Sequence, residues 1–152
     1  MAIDVVIETP VARPIEPVFA AIADLDGWPG WLIASGVLRV VRQAPGPLQP
    51  GLPLVIEQRA AGRASTVQAR ITALQPPVRF AVAGKDADGV SIDMDASLVV
   101  LEPAVTGLRW QIRIGLPVRY RFFESMARPQ VQRAAALDVE ALRRRLESVP
   151  GD

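Results

Sequence analysis

Val90-Ser91-Ile92-Asp93-Met94-Asp95-Ala96-Ser97-Leu98-Val99-Val100 alternates apolar and polar side chains. Val90, Ile92, Met94, Ala96, Leu98 and Val100 share one face, and Ser91, Asp93, Asp95 and Ser97 share the other. A period of two predicts a β-strand with one dry and one wet side. The next segment repeats it: Leu108, Trp110, Ile112 and Ile114 alternate with Arg109, Gln111 and Arg113. Working backwards, strands are expected at Phe80–Val82, at Val67–Ala73 (Val67, Ala69, Ile71 and Ala73 on its dry side), at Leu52–Arg59 and at Val37–Arg42. Turn signals at Ala44–Pro47, Gln75–Pro77 and Asp86–Gly89 separate them. Ile3, Val5 and Ile7 mark a first strand near the start of the chain. Consecutive alternating strands with short connections imply an antiparallel sheet of six to seven strands whose dry face must be covered.

The cover lies at the other end of the chain. From Gln130 to Val149 there is no Gly or Pro, and Val131, Ala135, Val139, Leu142, Leu146 and Val149 recur at helical spacing. Pro129 is expected to start this helix. About twenty residues of helix span roughly 30 Å, enough to cross such a sheet. Two short helices are expected after the first strand. One runs from Pro14 to about Ala23 with Ile15, Val18, Phe19 and Ile22 inward, and a second is capped by Asp26 and closed by Gly36. The fold class is therefore α+β: an antiparallel sheet whose dry face is covered by a long C-terminal helix. No linker or repeat divides the 152 residues, so residues 1–152 are expected to form a single domain.

Composition narrows the chemistry. The chain has no Cys and no His, which excludes disulfides, thiol nucleophiles, imidazole bases and triads containing His. Seventeen basic residues against sixteen acidic ones leave little overall field for nucleic acid or an anionic membrane. No apolar run approaches the roughly 20 residues of an integral membrane segment. Asp4 and Glu8 stand where a secretory leader would be basic and apolar, so a cytoplasmic location is expected. One Lys against sixteen Arg, with many Ala and Pro, suggests a bacterial genome rich in G and C. No metal site and no cofactor motif is evident: there is neither a glycine-rich phosphate loop nor a Rossmann fingerprint.

Ile15-Glu16-Pro17-Val18-Phe19-Ala20-Ala21-Ile22-Ala23-Asp24, followed by Trp28-Pro29-Gly30-Trp31, resembles bacterial members of the START-like (SRPBCC) superfamily. The superfamily includes the polyketide cyclase/dehydrase and lipid transport family. The Gln75-Pro76-Pro77 turn and the long helix ending near Leu146-Glu147 also fit. The resemblance covers nearly the whole chain. It implies a helix-grip fold with an internal cavity, and hydrophobic ligand binding, lipid transport or, in some members, catalysis.

Strand phase then nominates the lining. Leu54, Ile56, Ile71, Phe80 and Val82 are expected on the dry face, with Met94, Leu98, Trp110 and Ile112 on the following strands. Gln58 continues the Leu54–Ile56 face and would bring an amide into apolar surroundings, where it needs a partner. Trp31 and Phe123 are expected to cap the entrance. Asp93 and Asp95 read as solvated partners of Arg109 and Arg113. Arg119-Tyr120-Arg121-Phe122-Phe123 reads as an entrance loop whose aromatics cover the cavity. Two functions follow. One is binding or carriage of a hydrophobic small molecule (a lipid, polyketide or other aromatic). The alternative is a polyketide cyclase/dehydrase-type enzyme, for which no acid/base pair can be placed inside. A homodimer is left open, as is a protein-interaction role.

Overall fold

A computed structural model describes residues 2–60 and 62–149. Its strands are β1 (Ala2–Val11), β2 (Val37–Arg42), β3 (Pro53–Ala60), β4 (Arg63–Gln75), β5 (Arg79–Lys85), β6 (Ser91–Glu102) and β7 (Val105–Gly115). Helix α1 (Ile15–Ala23) and a 3₁₀ helix (Leu25–Gly30) follow β1. A second 3₁₀ helix (Val118–Phe123) leads into α2 (Glu124–Glu147). All seven strands form one antiparallel sheet in the order β1-β7-β6-β5-β4-β3-β2. The chain thus starts in the sheet, crosses it with α1, and returns along a six-strand meander that closes beside β1.

The dry face is the concave one. Leu54 and Ile56 of β3, Val67 and Ile71 of β4, Phe80 and Val82 of β5 and Leu98 of β6 are buried there. Helix α1 contributes Ile15, Val18, Phe19 and Ile22, and the last half of α2 contributes Ala135, Val139, Leu142 and Leu146. Curvature brings neighbouring strands close on this face. At Gly84 of β5, a Cβ would fall 2.7 Å from Ala69 Cβ and 2.7 Å from a Val67 methyl. Only glycine leaves β4 and β5 room to bend together there. Gly36 closes the turn before β2 at φ +78°, and a Cβ there would sit 1.8 Å from the Arg59 carbonyl oxygen.

Five local expectations are corrected. The second short helix is a 3₁₀ segment over Leu25–Gly30 preceded by Asp24, with Asp26 inside it and Gly36 six residues past its end, so Asp26 does not cap it and Gly36 does not close it. Helix α2 begins at Glu124, five residues before Pro129, which lies inside it. A proline one turn into a helix removes a single backbone bond, while Glu124 and Arg128 form an i,i+4 ion pair at 2.9 Å across the same turn. A bulge between Ile71 and Ala73 shifts the β4 phase, so Leu74, not Ala73, pairs with Phe80 and packs on the core. Val100 is 58% exposed, as are Val99 and Leu101 beside it at 53% and 55%, so the end of β6 has no dry face although Val100 still pairs with Thr106. Asp95 pairs with Arg79 of β5 at 2.8 Å and Arg109 with Glu8 of β1 at 3.4 Å, so the wet-face charges find other neighbours than those expected. Asp93 does lie opposite Arg113 in the ladder.

Candidate functional site

Along α2, one stripe changes character halfway. Ala135, Val139, Leu142 and Leu146 are buried against the sheet, whereas Ala127, Gln130, Val131 and Ala134, one to two turns earlier, border a cavity of about 300 Å³. Small side chains on this part of the helix leave the sheet uncovered. The opposite wall is Ile92 and Met94 of β6 with Ile112 and Ile114 of β7. Val37, Gln58 and Ala60 close the side nearest β2 and β3, and Ala34 and Ser35 complete it. Adjacent ladder pairs Met94–Ile112 and Ile92–Ile114 make the β6–β7 wall continuous.

None of these lining residues is ionisable. The polar groups on the wall are Ser35 and the amides of Gln58 and Gln130. Gln58 reaches it because β3 and β4 pair without a bulge from Pro53 to Ala60, which preserves the phase of Leu54 and Ile56. It is half-buried.

The carboxylate behind this wall is Asp138, on α2 and buried. Its two oxygens accept the backbone N–H of Ala34 at 2.7 Å and of Ser35 at 3.1 Å. Burial pushes its pKa up from the ordinary carboxylate value, opposed by the hydrogen bonds from Ser35 and Ala34. Asp138 thereby fastens the Ala34–Ser35 turn, part of the cavity wall, to the helix that forms the facing wall. Sequence reasoning missed it. The available signal was its phase: Asp138 stands three residues after Ala135 and four before Leu142, inside an otherwise apolar stripe.

Of the twelve residues nominated from the sequence, Gln58, Met94 and Ile112 border the cavity. Leu54, Ile56, Ile71, Phe80, Val82 and Leu98 are core residues buried beyond it. Trp31 and Trp110 are also buried, edge-to-face at 5.4 Å, and both indole N–H groups lack a hydrogen-bond partner. Trp28 completes the cluster, 6.5 Å from Trp31, with its own N–H donated to the Ile22 carbonyl at 2.8 Å. Trp31 is thus a core residue and not an entrance cap, because its neighbours on the 3₁₀ helix turn it inward. Phe123 is 54% exposed, and Phe122 78%, so neither covers the cavity. The lining that strand phase failed to nominate comes from the helix (Ala127, Gln130, Val131, Ala134) and from the Ala34–Ser35 turn.

A curved sheet gripping a long C-terminal helix, with an apolar hollow between them, defines a helix-grip fold. The chain belongs to the polyketide cyclase / dehydrase and lipid transport family, whose model matches residues 2–147. No curated protein matches it in sequence. Among solved structures it is similar to a START superfamily protein from Mycobacterium smegmatis, at 16% identity and TM-score 0.78, covering 97% of this chain and 99% of that one. It is equally similar to the ZhuI aromatase/cyclase from Streptomyces sp. R1128, at 18% identity and TM-score 0.78 over the whole of both chains. A protein from Thermus thermophilus follows at 14% identity and TM-score 0.76, covering 95% and 97%. At these identities the likeness is one of fold. Among the described residues no helix is long and apolar enough to cross a membrane.

Proposed function

We propose that this chain, acting as one unit over residues 1–152, binds and carries an uncharged hydrophobic small molecule in the cavity between α2 and the β6–β7 wall. A lipid, a polyketide-derived compound or another aromatic would fit the description. The supporting observation is the lining itself: about 300 Å³ bordered by aliphatic side chains, two amides and a serine, with no ionisable group. That volume stands at the lower end of ligand sites and is about twice the roughly 150 Å³ hollow that holds a benzene ring. An unpaired charge would be costly to bury there, whereas the Gln58 and Gln130 amides would hold a carbonyl or hydroxyl. Leu54, Ile56, Ile71, Phe80, Val82 and Leu98 would act as the packed floor.

Cyclase or dehydrase chemistry needs a group that gives or takes a proton at the reacting atom. The lining offers none, and Asp138 has both oxygens committed to the wall. Carriage is therefore favoured over catalysis. We place the protein in a bacterial cytoplasm. The test is native mass spectrometry of protein purified from its own host, with titration by a neutral fluorescent probe such as N-phenyl-1-naphthylamine. A co-purifying neutral lipophile, displaced by the probe, is expected. A chain that carries nothing and does not bind the probe would sink the proposal.

A further inference from the structure

Every aromatic side chain of this protein lies in the core except three, and those three are within four residues: Tyr120, Phe122 and Phe123. Phe122 is 78% exposed and Phe123 54%, while Val118 and Met126 beside them are 73% and 65% exposed. Large apolar groups gathered at the surface mark an interaction site, whereas singly scattered ones do not. The charge of the same region is segregated too. Residues 116–134 hold four arginines (Arg119, Arg121, Arg128 and Arg133) against Glu124 alone, leaving thirteen basic side chains against fifteen acidic ones elsewhere. The Asp86–Asp88 loop lies against this segment, its Asp88 carbonyl accepting a hydrogen bond from Arg119. Both carboxylates of that loop are paired with Arg63, and Glu124 with Arg128, so the excess charge at this end is positive and Arg121 stands apart from any of these ion pairs. Two arginines lie over the rings: Arg119 stacks at 4.8 Å on Tyr120 and Arg121 at 5.0 Å on Phe122. The segment runs directly into the Ala127–Gln130–Val131 stretch of α2 that borders the cavity.

We propose that Val118–Met126 is a docking surface for an anionic lipid bilayer. Phe122, Phe123, Val118 and Met126 would enter the boundary between headgroups and acyl chains, and Arg121 and Arg119 would meet the lipid phosphates. Exposed phenylalanines flanked by arginines are what an interfacial segment needs: apolar area to bury and cations for the surface potential. A second copy of the chain fits less well, because a two-fold contact would set these arginines against their own copies. A single-stranded nucleic acid fits less well too, because it needs aromatic platforms spaced along a basic groove, whereas Tyr120, Phe122 and Phe123 form one cluster within four residues. Docking would bring the α2 wall of the cavity to the membrane, so that a lipophile passes between the two with little exposure to water. The docking itself stands or falls independently of what the cavity holds.

The experiment is flotation of the full chain with vesicles of phosphatidylcholine alone and of phosphatidylcholine mixed with phosphatidylglycerol, at low and high salt. Binding to the anionic vesicles only, weakened by salt, is expected. F122D/F123D should reduce partitioning at least about tenfold. R121E should reduce it about thirtyfold at low salt, at roughly fivefold per unit of charge. Both changes fall on exposed side chains, and unaltered thermal unfolding checks that the fold is intact. In a F122W variant, brominated lipid should quench the new indole and leave the three buried native tryptophans unaffected. The proposal is overturned if anionic vesicles do not retain the protein at low salt, or if R121E and F122D/F123D bind them as the parent does. It is overturned equally if F122D/F123D abolishes self-association or oligonucleotide binding in place of vesicle binding.

Discussion

Filling the cavity from the helix side should raise stability and abolish binding together. Ala134 of α2 borders the hollow, and Ala134→Phe would project a benzyl ring into it. A hollow of roughly 150 Å³ accommodates one benzene ring, so the new side chain would take up about half of the 300 Å³. At about 24 cal/mol per Å³ of apolar void, a ligand excluded from that half loses about 3.5 kcal/mol of contact. That corresponds to a several-hundredfold weaker Kd. The ring itself removes on the order of 100 Å² of apolar surface from water, about 2.5 kcal/mol. Its poorer helix propensity and lost rotamers offset more than half of this, roughly 1.5 kcal/mol. A net gain of about 1 kcal/mol raises Tm by about 2–4 °C in a chain of this size. The assay pairs thermal unfolding followed by circular dichroism with titration of the neutral probe. A filled interior predicts the opposite sign, because overpacking destabilises by about 1–3 kcal/mol. A lower Tm with unchanged probe affinity would refute both the hollow and its role.

Four further outcomes are expected. Asp138→Ala removes two hydrogen bonds to a carboxylate and leaves the Ala34 and Ser35 amides without them, a loss of about 3 kcal/mol in urea unfolding. Because burial raises the folded-state pKa of Asp138, the native chain binds its proton more tightly than the unfolded one. The unfolding free energy of the parent relative to Asp138→Asn should therefore fall as pH rises from the ordinary carboxylate range through the raised value, and be flat above it; a rising difference measured by urea midpoints would contradict burial as the dominant influence. Gly36→Ala places a Cβ 1.8 Å from the Arg59 carbonyl oxygen at φ +78°, and should destabilise by about 3 kcal/mol, read as a lower urea midpoint. Gln58→Leu should weaken a ketone-bearing aromatic about fivefold, one hydrogen bond's worth, and leave its hydrocarbon analogue unchanged in parallel calorimetric titrations.

The period-two runs between Val37 and Gly115 and the helical stripe from Val131 to Leu146 were sufficient to read the sheet, its dry face and the element that covers it. Alternation reports which side of a strand avoids water, and backbone geometry alone then dictates an antiparallel meander. Positions where the chain departs from strict alternation were invisible to that logic. The bulge after Ile71 and the irregularity after Val100 arise from ladder register, which is settled between strands and not within one. Helix α2 likewise extends back past Pro129 because an ion pair and favourable helix formers outweigh one missing backbone bond.

The candidate site was legible as a face but not as a place. Met94, Ile112 and Leu98 share the same dry pattern, yet only the first two border the hollow, since α1 and the end of α2 fill the rest of the concave surface. Where a covering helix lifts away from a sheet depends on the crossing of two elements distant in the sequence. So does the seat of Asp138, whose partners lie about a hundred residues away in the chain. The amino-acid order determined which atoms avoid water. Three-dimensional packing alone decided which of them meet one another, which face an empty space, and which aromatics, Phe122 and Phe123 foremost, were left outside.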